Sequence, residues 1–217
     1  MAGSGLALRA PFVDLTEFPL RDPVAEGEPL WRVVGNQHTD EPVWFGCAGG
    51  RFDLHPLDDD GVCYVGFDPA SALLEKGFAD ASEQTGRLVF TPAMFANRHL
   101  RAISTPREVR LAATYDPGVT GFGVTTELAS TNRYMLPQWW AQALHAHGPE
   151  GCEGVAYQPR HAPGREAAAL FGRRGAAPWG AEEPVELDAG RLRFELRGTN
   201  VEVLETPASG DNLTVID

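Results

Sequence analysis

The apolar residues of this chain come in short runs rich in β-branched and aromatic side chains, each cut off by glycine or proline, and few architectures tolerate that texture. Leu30–Val34, Val62–Phe67, Arg87–Thr91, Val109–Tyr115, Cys152–Tyr157 and Ala168–Phe171 all read as strands. In Val109–Tyr115 the alternation of Val109, Leu111, Ala113 and Tyr115 places one set on one face. Leu192–Leu196 and Val201–Leu204 read as a C-terminal hairpin across Arg197-Gly198-Thr199-Asn200. Two stretches read as helices. Asp68-Pro69 supplies an N-cap carboxylate and a proline at the first helical position, so a short helix is expected over Ala70–Phe78. Pro137 starts a second that runs to His147, with Trp140, Ala141 and Leu144 on one face and Gly148-Pro149 as its stop. Strands outnumber helices and no βαβ rhythm emerges, so the expected class is α+β rather than a doubly wound sheet.

A chain of 217 residues with 43% hydrophobic content can bury a substantial core, and one main domain suffices. Residues 1–28, with Pro11, Pro19 and Pro23 and no sustained period, read as an arm lying over that domain. The domain itself is expected over 29–205, and 206–217 has the composition of a frayed tail. No run is long enough to span a bilayer, and the first residues lack a basic segment followed by an apolar one, so a secretory signal is not expected. Cys47, Cys63 and Cys152 are odd in number and widely spaced, which fits a reducing, cytoplasmic setting better than a disulfide framework. The net charge of -12 repels nucleic acid and anionic membrane. Lys76 is the sole lysine, and arginine carries the remaining basic charge, a usage common in GC-rich bacterial genomes. Arginine is also the better fork for phosphate.

Several site types find no support in the residues. The six histidines form no His-Glu-x-x-His run, no Cys-x-x-Cys occurs, and His145 and His147 point apart on a helix, so no metal is expected. Asp58-Asp59-Asp60 lacks the spacing of a calcium loop. Gly-x-Gly-x-x-Gly and phosphate-loop motifs are both missing.

Other residues do suggest a site. Arg32 lies within a strand, Arg51 beside the glycines Gly46, Gly49 and Gly50, Tyr64 in the second strand, and Glu75 near the end of the second turn of the first helix. The last of these follows Asp68-Pro69-Ala70-Ser71-Ala72-Leu73-Leu74, and a second block reads Gly154-Val155-Ala156-Tyr157-Gln158-Pro159-Arg160-His161 with Ala168-Ala169-Leu170-Phe171 beyond it. Together these blocks resemble the RES domain family, related to the NAD-consuming ADP-ribosyltransferases, over roughly residues 29 to 190. The resemblance implies an ADP-ribosyltransferase-like fold of central antiparallel or mixed β-sheets with few short helices. It also implies an enzyme that consumes NAD by cleaving the nicotinamide N-glycosidic bond, passing ADP-ribose to water, phosphate or a macromolecule.

Such a site needs cations for the pyrophosphate and a carboxylate near a ribose that gains oxocarbenium character. By resemblance Glu75 and Arg32 are the catalytic candidates, and Arg51, Tyr64, Tyr157, Gln158, Arg160 and His161 the substrate-binding ones. NAD enters as substrate and no metal is implied. Many relatives are toxins of toxin-antitoxin pairs, so the implied partners are NAD or a related nucleotide and an antitoxin protein, with self-association left open. Each residue also has an ordinary structural explanation: a strand arginine pairs ions at the surface, and Tyr64 packs in a core with its hydroxyl satisfied.

The chain departs from the family pattern at one point. Where the family commonly has Tyr, a small residue or Pro, Ser, then Arg, this strand has Tyr157-Gln158-Pro159-Arg160, and Pro159 takes the serine's place. Proline offers neither a hydroxyl nor an amide proton to a ribose or to the glutamate. Ser130-Thr131-Asn132, ahead of the second helix, offers hydroxyls from elsewhere, Gln138 matches a polar family position at the start of that helix, and Trp139 and Trp140 read as packing residues. Two alternatives therefore stay open beside the enzyme: a non-catalytic nucleotide-binding domain, and a biosynthetic enzyme acting on a different NAD-derived nucleotide.

Overall fold

The computed structural model describes residues 10–11, 14–77, 82–84, 87–125, 127–131, 133–160, 162 and 164–205. The strands are β1 (Pro29–Gly35), β2 (Trp44–Phe45), β3 (Asp60–Gly66), β4 (Ser82–Gln84), β5 (Arg87–Phe90), β6 (Arg98–Ser104), β7 (Arg110–Ala113), β8 (Cys152–Tyr157), β9 (Ala167–Arg173), β10 (Gly175–Ala176), β11 (Gly180–Ala181), β12 (Val185–Glu186) and β13 (Val201–Val203). The helices are α1 (Pro69–Gly77), α2 (Glu127–Ser130), α3 (Met135–His147) and α4 (Ala189–Glu195).

The central sheet has the order β11-β6-β1-β3-β9-β8-β7, with β12 also paired to β6. Every pairing in it is antiparallel except β7 with β8, which makes the sheet mixed and the class α+β as expected. A smaller sheet, β13-β5-β4, and the β10-β2 pair flank it. Alternation along the strands sorts side chains between two cores. Val62, Val155, Tyr157, Ala167, Ala169 and Phe171 face one that also holds Trp140, Ala141 and Leu144 of α3. Cys63, Val65, Ala156, Ala168 and Leu170 face another with Leu30, Val109 and Leu111.

The N-terminal segment runs along the outer side of β7: the Val24 and Val109 amides and carbonyls bond reciprocally, and Ala113 N donates to Pro19 O. This covers the unpaired groups of an edge strand, while Leu15 and Phe18 enter the core beneath α3.

Five of the expected strands appear with ends shifted by one or two residues, and β8 matches at both ends. β6 was not anticipated, because Arg98, His99 and Arg101 interrupt its apolar pattern. The expected C-terminal hairpin is corrected. Leu192–Leu196 lies almost wholly in helix α4, and Val201–Val203 pairs in parallel with β5 instead. Asp188 caps α4 by accepting from Arg191 N at 2.6 Å, and Leu192 and Leu196, one turn apart, are both buried while Phe194 between them is 56% exposed. Trp139 is a second correction: it is 44% exposed, whereas Trp140 is fully buried. Phe78 at the end of the first helix, Asn132, His161 and the tail 206–217 lie outside the described residues.

Candidate functional site

Glu75 owes its place to the start of its helix. Asp68 accepts from Ser71 N at 3.0 Å and from Ser71 Oγ at 2.7 Å, and Arg165 Nη1 donates to it at 2.8 Å. The Asp-Pro opening thus becomes a fixed cap, and Ala70, Leu73 and Leu74 anchor α1 in a third core. At Gly66 a Cβ would lie 2.5 Å from Ala72 N, so only glycine lets α1 sit this close to β3.

Arg51 is placed by a loop that folds on a buried carboxylate. Asp53 Oδ2 accepts from Gly49 N and Gly50 N, both at 2.8 Å, and Oδ1 accepts from the Tyr64 hydroxyl at 2.9 Å. Phe52 N donates to that hydroxyl at 2.8 Å, and Gln138 Nε2 of α3 donates to Gly50 O at 2.9 Å. The Arg51 guanidinium donates to Thr131 O and lies 4.8 Å from the centre of the Tyr134 ring. Arg32 Nη1 on β1 donates to Pro42 O at 2.8 Å.

These residues border one cleft of about 890 Å³, large enough for a dinucleotide-sized ligand. Its lining includes Trp31, Arg32, Trp44, Cys47, Gly50, Arg51, Asp53, Tyr64, Glu75, Lys76, Tyr134, Pro159 and Arg160. Four of these are cationic, Arg32, Arg51, Lys76 and Arg160, against the carboxylates Asp53 and Glu75. In a chain of net charge -12 the cleft is a local reversal of sign, which suits an anion.

Tyr157 at the end of β8 is 1% exposed and its hydroxyl donates to Glu75 Oε2 at 2.8 Å. Glu75 is an exposed residue on the cleft wall by its accessible surface, although protein atoms surround its carboxyl closely enough to hinder its solvation. Burial raises its pKa above the usual carboxylate value, opposed in part by the Tyr157 hydrogen bond and then by Arg51. Burial, with Asp53 and Glu75 nearby, holds the Tyr64 hydroxyl well above the usual phenol range. Burial and then Glu75 do the same to Tyr157, so both remain O–H donors at neutral pH.

Of the residues singled out from sequence, Arg32, Arg51, Tyr64, Glu75 and Arg160 line the cleft, and Tyr157 reaches it through Glu75. Gln158 is exposed and outside the lining. Asp53, Trp31, Trp44 and Tyr134 were not singled out, although Asp53 stands two residues from Arg51 and is only 3% exposed. The Thr131 hydroxyl accepts from Arg133 N, and its carbonyl holds Arg51. Among the described residues no cluster of three His, Cys, Asp or Glu is placed to hold a metal ion.

A search of curated proteins found no match to the chain. Among solved structures the fold is similar to that of the toxin in the crystal structure of the M. tuberculosis MbcT-MbcA toxin-antitoxin complex, with a TM-score of 0.57 and 19% sequence identity over 82% of this chain and 92% of that one. The RES domain pattern matches residues 29–195, most of the length, and the chain belongs to the RES domain family.

Proposed function

We propose that the cleft binds NAD and that Glu75 directs cleavage of its nicotinamide N-glycosidic bond, with ADP-ribose passed to water, phosphate or a macromolecule. The observation that carries this reading is the placement of a crowded carboxylate, Glu75, on the same cleft as four cationic side chains. Membership of the RES domain family, whose substrate is NAD, supports it. The C1′–N bond breaks with both electrons leaving on the nicotinamide nitrogen, and positive charge develops on the ribose beside the Glu75 carboxylate. The acceptor oxygen then bonds to C1′ and gives up its proton to Glu75 or to solvent. Arg32 and Arg51 suit the pyrophosphate, since each is oriented by one carbonyl and presents a planar fork with donors to spare. Trp31, Trp44 and Tyr134 offer faces for the aromatic rings.

The test is incubation of the purified protein with NAD, with and without phosphate, following free nicotinamide by chromatography. Release by the wild type that disappears in Glu75→Gln is the expected result. Equal release by both proteins would overturn the role of Glu75, and binding of NAD without release would favour the binding-only reading. That second reading has one observation behind it: Pro159, in place of the family serine, is buried and lines the cleft.

The toxin role and its partner follow from the same resemblance. Trp44, Tyr134, Met135 and Trp139 are exposed, and Trp44 and Tyr134 belong to the cleft lining. An antitoxin that covers the cleft would remove this apolar surface from water. Induced expression in bacteria is expected to arrest growth and lower cellular NAD, and normal growth with unchanged NAD would argue against the toxin role.

A further inference from the structure

We infer that Tyr157 is the positioning residue for Glu75, its hydroxyl holding one carboxylate oxygen in place in a chain where Pro159 stands at the family serine's position. This rests on the NAD-cleaving reading of the same cleft and goes beyond it by assigning the hydroxyl that steers the carboxylate.

The contact itself assigns Tyr157, and several other hydroxyls are committed elsewhere. Ser71 Oγ, on α1 itself, is committed to Asp68 at 2.7 Å, and the Tyr64 hydroxyl to Asp53 at 2.9 Å. Thr131 is engaged with Arg133 and Arg51. Pro159 has no hydrogen to donate. The hydroxyl that reaches Glu75 belongs to Tyr157, at 2.8 Å from Oε2. One carboxylate oxygen is thereby held from the protein side.

The donor is rigid in a way that a loop serine would not be. Its ring lies 4.8 Å from that of Phe52, in the core that also encloses Trp140. Its strand is paired on both sides, in parallel to β7 and antiparallel to β9. The Ala156 carbonyl beside it accepts from Thr114 N at 3.0 Å and from Thr114 Oγ at 2.9 Å. Small residues make room: Tyr157 faces Ala167 and Tyr64 faces Ala169 on β9, so both rings stand over a floor of alanines. A carboxylate held by such a donor needs little reorganisation when charge develops on the ribose.

The test is Tyr157→Phe in the full chain, which keeps the ring and its contact with Phe52. Besides Tyr157 of β8, Glu75 shares its surroundings with Tyr64 of β3, Arg32 of β1, Arg51 of the glycine loop, its neighbour Lys76 on α1, and Arg160 beyond β8. Only the first of these changes. The kcat for nicotinamide release is expected to fall roughly ten- to a hundredfold, the loss that misplacing a reacting group brings, with KM nearly unchanged. The acid limb of the pH profile should move to higher pH, because the lost bond favours the ionised form. The Glu75 carboxyl, followed by ¹³C NMR and assigned with Glu75→Gln, should titrate at higher pH in step with it.

Placing 3-fluorotyrosine at position 157, a stronger donor of the same shape, should move the titration the opposite way and covers the case in which Tyr157→Phe does not fold. An unmoved Glu75 titration in these variants overturns the inference, whatever the activity. Absence of nicotinamide release from the wild type sinks the proposed reaction instead, and the titration still reads the contact without substrate.

Discussion

The Tyr64 hydroxyl ties β3 to the loop that carries Arg51, donating to Asp53 Oδ1 at 2.9 Å while it accepts the Phe52 amide at 2.8 Å. Both partners belong to the stretch that turns through Gly49 and Gly50, and Asp53 holds those two amides with its other oxygen. Glycine is required at position 50, where a Cβ would lie 2.4 Å from this hydroxyl. The arginine loop is therefore shaped before any ligand arrives.

Tyr64→Phe removes one donor from a buried carboxylate and the acceptor of a buried amide. A loss of about 1–3 kcal/mol in stability is expected, read from urea unfolding with an unchanged m-value. Under the proposed reaction KM for NAD should rise more than kcat falls, since the change loosens the loop bearing Arg51 and leaves Glu75 on its helix. A variant as stable as the wild type would mean that the Asp53 pair contributes little.

Arg51→Lys tests the shape of the cation rather than its charge. Arg51 donates to Thr131 O and lies 4.8 Å over Tyr134 at the same time, which a lysine ammonium does not reproduce. The loss of charge-assisted hydrogen bonds should weaken binding of NAD or ADP-ribose by roughly ten- to a hundredfold, measured by calorimetry. Affinity equal to the wild type would place the pyrophosphate elsewhere.

Gly66→Ala brings a Cβ to 2.5 Å from Ala72 N and 2.8 Å from Asp68 O, both backbone atoms that cannot swing aside. It should cost about 1–3 kcal/mol as α1 is pushed off β3, and any activity that depends on Glu75 should fall with it. Gly121→Ala is the control, because its Cβ would meet nothing within 4 Å. A melting temperature near that of the wild type is expected for Gly121→Ala and a lowered one for Gly66→Ala.

How far these features were legible in the sequence depends on the range of the interactions behind them. β1, β3, β8 and β9 declared themselves through local runs of β-branched and small apolar residues, and α1 through its Asp-Pro cap. α4 misled because Leu192, Phe194 and Leu196 alternate like a strand, and only the cap at Asp188 and the exposure of Phe194 reveal the helical period. β6 was hidden by its charged residues: Arg101 donates to Thr39 O and to Glu182 O, and His99 faces Asn36, so polar groups sit in a strand with partners far away in sequence. The site divides along the same line. Arg32, Arg51, Tyr64, Glu75 and Tyr157 were marked by their motifs and Gln138 by its family position, but their contacts were not: Gln138 reaches Gly50 across 88 positions and Tyr157 reaches Glu75 across 82. An aspartate after Arg51-Phe52 looks like an ordinary turn until the fold buries it.

The raised pKa of Glu75 sets a pH dependence whose sign differs from that of a salt-bridged acid. Burial is its first cause, and the Tyr157 hydrogen bond and Arg51 offset that only partly. A carboxyl whose folded pKa lies above its unfolded value binds its proton more readily in the native state. Its stabilising contribution is fully present below the unfolded value and is lost as pH rises through the folded one. Glu75→Gln, which stays neutral, should therefore unfold at a higher temperature than the wild type at pH 7. The difference should shrink as pH falls toward the usual carboxylate value of 4.5 and vanish below it. Thermal unfolding of both proteins over this range checks the sign. A Gln variant less stable than the wild type at neutral pH would mean that Arg51 and Tyr157 more than repay the burial of the charge. The acid limb of nicotinamide release should lie above the same value, because only the ionised Glu75 can face the developing charge on ribose.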